Sequence, residues 1–160
     1  ALSTQDSAKV IALLCSAPNG VQSWSQDIEG LVQTSLNLGV AKLGEKFSAT
    51  FSVRSSVNQE KLGLAARLEE LAKFYDAEVS HKGDYPAWEY RENSKLRDMY
   101  NELYKEVFNK EPKVEAIHAG LECGVFASAI DNFDCIAIGP TIYDVHTVNE
   151  RLSITSAVKI

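Results

Sequence analysis

Cysteine is scarce in this chain and carries little pattern: Cys15, Cys123 and Cys135 are odd in number, and none stands in a CxxC spacing. That argues against a disulfide framework and for a reducing compartment. Basic charge is also short, with 16 Lys and Arg against 22 Asp and Glu and a net charge of -6. Such a balance leaves no electrostatic footprint for nucleic acid and nothing to draw the chain to an anionic membrane. No apolar run approaches the roughly 18 residues of a membrane span, and no cationic leader opens the sequence, so a soluble, cytoplasmic protein is expected. Internal repeats and low-complexity segments are absent as well. What remains is 160 residues that are 45% apolar, enough for one domain or two small ones that bury about two-thirds of their unfolded surface.

Read in order, the first half alternates helix and strand. Ser3, with Asp6 three residues on, resembles a capping box, and Val10, Ile11, Leu13 and Leu14 continue a helix that Pro18-Asn19-Gly20 stops. Residues 32 to 40 put Val32, Thr34, Leu36, Leu38 and Val40 on one face of a strand. Residues 46 to 55 put Phe47, Ala49, Phe51 and Val53 on one face, and Ser48, Thr50, Ser52 and Arg54 on the other. Leu43-Gly44-Glu45 joins the two as a hairpin. A helix over about Gln59 to Tyr75 has Leu64, Leu68, Leu71 and Tyr75 at helical spacing to cover the hairpin's apolar face. A short strand over Ala77 to His81 completes helix, strand, strand, helix, strand, the second half of a ferredoxin-like α+β sandwich.

Lys82-Gly83-Asp84-Tyr85-Pro86-Ala87-Trp88 breaks the periodicity and sets a boundary between domains at 1 to 83 and 84 to 160. Beyond it, a helix opening at Ser94 carries Leu96, Met99, Tyr100, Leu103, Tyr104, Val107 and Phe108 as a packing stripe. Strands near 114 to 118 and 134 to 139, a short helix after Gly120 and a late helix then predict an α/β layout with parallel strands. A helix opening at the third residue and an apolar finish at Ile160 make both ends look like cuts in a longer protein.

The ionisable residues of interest are few. His118 and Glu122 lie where a strand is expected to pass into a helix, a place where ligands gather in open α/β sheets; a hydrogen-bonded core histidine is the plain alternative for His118. Arg54 shares the polar face of its strand with Ser52 and Thr50, where a bidentate grip on a carboxylate is available, although a solvated arginine fits equally. His146 follows Gly139-Pro140 on a polar connection and is suited to metal ligation. One histidine is not a site, and His81, His118 and Glu122 form no HExxH or HxH pattern with it. Cys123 has no base placed beside it and reads as a small, packed thiol.

A resemblance gathers these residues. Val32-Gln33-Thr34-Ser35-Leu36-Asn37-Leu38-Gly39, Val53-Arg54-Ser55-Ser56, Tyr85-Pro86-Ala87-Trp88, His118-Ala119-Gly120-Leu121-Glu122-Cys123-Gly124, and Ile138-Gly139-Pro140 to His146 and Glu150 resemble, in order, the C-terminal portion of the aminoacyl-histidine (Xaa-His) dipeptidases. These are carnosinase-like di-zinc metallopeptidases of the peptidase D type. The resemblance implies the second half of a ferredoxin-like lid domain, followed by a C-terminal piece of an α/β catalytic domain. It makes Arg54 the lid arginine that holds the substrate's terminal carboxylate, with His118 and Glu122 lining the substrate pocket and His146 as the last metal ligand.

It also implies that the other zinc ligands, the bridging carboxylate and the general base lie in a missing N-terminal half. The intact enzyme would hold two zinc ions and cleave a small dipeptide with metal-activated water, while the chain alone would be inactive and bind zinc weakly. A homodimer through an open strand edge is a further expectation. The competing class is a non-enzymatic module that binds an amino acid or pairs with a protein partner through that edge.

Overall fold

The structure is a computed structural model and describes residues 2–160. Helix α1 (Thr4–Ser16) opens as the capping box predicts, with the Ser3 hydroxyl oxygen accepting the Asp6 N–H at 3.0 Å. Pro18 follows closely and prevents continuation. The chain then forms an antiparallel meander of β1 (Gly20–Trp24), β2 (Val32–Leu43) and β3 (Phe47–Ser55), with β2 in the middle. Helix α2 (Asn58–Phe74) lies over one face of this sheet, where Leu36 and Thr34, each 2% exposed, and Leu64 are buried. A helix cannot bury a full apolar stripe on three strands alone, so this core is small.

Glu60, in the first turn of α2, ties helix to sheet. Its carboxylate accepts hydrogen bonds from Ser23 and Gln33, each at 2.5 Å, and from Thr34. Those donors, Ser23 and Thr34 foremost, hold the Glu60 carboxyl below its ordinary value against the opposing effect of burial.

After α2 the chain runs without helix or strand to Ser94, so the strand expected over Ala77 to His81 is not formed. Among the described residues no ladder partner reaches this stretch. Instead Asp76 pairs with Lys9 at 2.6 Å and His81 with Glu69 at 2.6 Å. The next residues dock on the start of α2: Ala87 N–H donates to Asn58 Oδ1 at 2.9 Å, and Lys61 pairs with Asp84 at 2.7 Å.

Helix α3 (Lys95–Phe108) starts at the predicted cap, where Ser94 Oγ accepts the Arg97 N–H at 3.1 Å. Asp134 reinforces it from a distance, taking the Leu96 N–H at 3.0 Å and the Ser94 hydroxyl at 2.7 Å. Helix α4 (Glu122–Ala129) is the short helix expected after Gly120. The flanking strands near 114 to 118 and 134 to 139 are not formed. A parallel strand needs neighbours to satisfy its backbone, and among the described residues none is supplied; Val114, Ile117 and Ile138 stand 56%, 62% and 54% exposed. A two-residue-deep hairpin, β4 (Ile142–Tyr143) with β5 (Arg151–Leu152), and the single turn α5 (Ile154–Ala157) close the chain. Neither β1 nor this hairpin is anticipated by the sequence pattern. Among the described residues no helix is long and apolar enough to cross a membrane.

Candidate functional site

The site is built on the sheet face turned away from α2. In the β2–β3 ladder Ser35 stands directly opposite Arg54, and Asn37 opposite Ser52. Directly opposed residues project to the same side, so these four form a polar patch while Leu36 and Val53 point to the other face. The alternation that places Arg54 on a polar face therefore describes the ladder correctly near its α2 end. It fails at Gly39, where a bulge shifts the register between Leu38 and Val40. Val40 is thereby set opposite Thr50, exposed on the polar side instead of the apolar face expected of it, because an unpaired residue reverses the alternation.

His118 reaches this patch from a segment 83 residues away, its Nε2 lying 2.7 Å from Ser35 Oγ. The ring is half-buried. Burial first, and the Arg54 charge second, hold its pKa below the ordinary histidine value, while the Val32 carbonyl acts in the opposite sense. Arg54 and His118, expected to share a ligand, are thus brought to one face, with Ser35 between them.

The string His118 to Gly124 owes its spacing to packing. A side chain at Gly120 would collide with the ring of Tyr85, and a Cβ at Gly124 would lie 2.7 Å from the Pro86 carbonyl oxygen. Two glycines let the segment seat against Tyr85-Pro86-Ala87, which is itself fastened to α2. That contact delivers His118 to the sheet. Glu122 begins α4 and is exposed. Cys135 Sγ points to the Cys123 carbonyl at 3.9 Å, and burial, with Cys123 beside it, pushes the Cys135 thiol up to about 11. An un-ionised thiol is a poor nucleophile.

His146 occupies the loop that closes the β4–β5 hairpin. Its backbone N–H donates to Glu150 Oε2 at 2.7 Å, and Asp144 pairs with Arg151 across the loop base. The residue has φ +65° and is exposed. A non-glycine residue held in the left-handed region costs on the order of 1–2 kcal/mol, and Asp144 of the same loop shares that conformation. Zinc requires three or four protein donors, and among the described residues no group of three His, Cys, Asp or Glu comes together. The described residues by themselves do not make up a zinc centre.

Sequence reasoning missed two functional or structural partners. Nothing local marks Ser35 as the serine that will meet a distant histidine. Nothing in the sequence sets Glu60 apart from the other acids of its helix, and its three donors come from two strands.

The α/β chain thus carries a cation and an imidazole on one polar sheet face, and an exposed histidine on a braced loop. Comparison with known proteins finds similarity to dipeptidases. Over 147 residues the chain is 37% identical to the cytosol non-specific dipeptidase of Escherichia coli (strain K12), covering 91% of this chain and 30% of that protein. The crystal structure of aminoacylhistidine dipeptidase from Vibrio alginolyticus matches it with a TM-score of 0.85 at 31% identity, over 97% of this chain and 32% of that one. The chain is therefore a relative of dipeptidases and spans about a third of the length of each. No protein-family model matches it.

Proposed function

We propose that the chain is the C-terminal segment of a cytosolic, zinc-dependent dipeptidase acting on Xaa-His dipeptides. Residues 1–83 form the closing half of a ferredoxin-like lid, and residues 84–160 the return into the catalytic domain. The observation that carries this reading is the polar face shared by Arg54, Ser35 and His118. Every dipeptide ends in a carboxylate, and a guanidinium offers it two parallel N–H donors. Keeping the adjacent ring neutral preserves a neighbour that can orient the ligand without a fixed charge of its own. Glu122 adds a polar contact nearby in sequence. His146 contributes one imidazole to a metal centre whose other donors lie outside this chain, and its exposure favours the peptidase reading over the binding module.

The molecular surface supports a partner. It measures 12088 Å² for 17.6 kDa, against about 7,900 Å² for a compact monomer of that mass. The excess includes Val114, Ile117 and Ile138, the apolar runs whose patterns call for strands. The remainder of an α/β catalytic domain would cover them and supply their missing neighbours. Edges of the sheet at β1 and β3 leave backbone groups that a second copy of the protein can pair with. By itself the chain is inactive toward dipeptides and holds zinc weakly.

Titration of the labelled chain with glycyl-histidine and with its C-terminal amide tests the carboxylate assignment. The acid should move the resonances of Ser35, Arg54 and His118, and the amide should not. Equal responses to the two would contradict the assignment.

A further inference from the structure

The hydrogen bond between Ser35 and His118 can run in either direction, and the surroundings choose one. Ser35, whose hydroxyl oxygen meets Nε2, is opposite Arg54 in the ladder, and the Arg54 charge acts on the ring. A cation there favours a bare lone pair and disfavours an N–H. The Val32 carbonyl, which can only accept, also acts on the ring and suits an N–H on the nitrogen that Ser35 leaves open. Among the described residues the Ser35 hydroxyl makes no other side-chain hydrogen bond, so no second side chain competes with Nε2 for its proton.

We infer that Ser35 is the positioning residue of this face: its hydroxyl donates to Nε2 of His118 and fixes both the orientation of the ring and its Nδ1–H tautomer beside Arg54. Only the identity of the ligand rests on the dipeptidase reading. The positioning itself follows from the ladder register and the 2.7 Å contact. Arg54 then keeps its charge unopposed and unrepelled for an incoming carboxylate, because the ring next to it is held neutral and still.

The test is a long-range proton–nitrogen NMR spectrum of the imidazoles in the ¹⁵N-labelled chain, for wild type, Ser35→Ala and Ser35→Thr. Wild type should show His118 with an unprotonated Nε2. Ser35→Ala should mix the two tautomers and weaken glycyl-histidine binding roughly fivefold to tenfold, the loss of one net hydrogen bond. Ser35→Thr, which keeps the hydroxyl, should restore the wild-type spectrum. A proton on Nε2 in wild type overturns the inference, as does a Ser35→Ala spectrum unchanged at His118. Should the alanine variant fail to fold, the wild-type tautomer decides by itself. A bare Nε2 in a chain that ignores glycyl-histidine upholds the role of Ser35 and removes the dipeptide.

Discussion

His118 carries the clearest pH signature. Its folded pKa lies below the ordinary 6.5, mainly through burial and then through Arg54, so the unfolded chain binds a proton more readily than the folded one. The contribution to stability is complete above 6.5 and is lost as pH falls from there through the folded value. Urea midpoints measured across that window should drop for wild type and flatten for His118→Gln. Arg54→Ala should raise the His118 pKa, read by NMR titration, since a neighbouring cation has gone. Glu60 works in the same direction at lower pH: its depressed carboxyl stabilises the fold above 4.5 and ceases to do so as pH falls through the folded value. Glu60→Ala should cost about 1–2 kcal/mol by urea unfolding, because Ser23, Gln33 and Thr34 lose their acceptor. Arg54 was legible at this scale because strand alternation reports which face a residue takes. Ser35 and Glu60 were not, because their partners are set by ladder register and helix docking, neither of which is written locally.

Elements that carry their own termination signals were legible, and elements that depend on neighbours were not. Ser3 and Ser94 cap α1 and α3 as their sequences require, and the β2–β3 hairpin forms where two alternating runs flank Gly44. The runs at 114 to 118 and 134 to 139 have strand composition without strand partners, so pattern alone overstated them. The bulge at Gly39 reversed the face of Val40 for a related reason, since one residue left out of register is invisible to a period of two. The glycines of the His118 to Gly124 string make a testable claim about how elements meet. Gly124→Ala places a methyl against fixed backbone at Pro86 and should cost about 1–3 kcal/mol. Gly120→Ala meets a side chain instead, so Tyr85→Ala should recover part of its loss in a double-mutant cycle. Equal and additive effects would show that the two segments do not pack as described.

At the scale of the whole molecule, the chain is a relative of dipeptidases and spans about a third of their length. On the proposed reading it provides a carboxylate-binding face and one loop imidazole, and its exposed apolar residues Val114, Ile117 and Ile138 are covered by the rest of the catalytic domain. The most direct measurement is hydrolysis of glycyl-histidine, in the presence of zinc, by a chimera in which this chain replaces the matching segment of the E. coli enzyme. The chimera should be active, and His146→Ala should lower its rate by a factor on the order of 100 or more. Activity that survives His146→Ala unchanged, or a folded, zinc-loaded chimera without activity, would contradict the account.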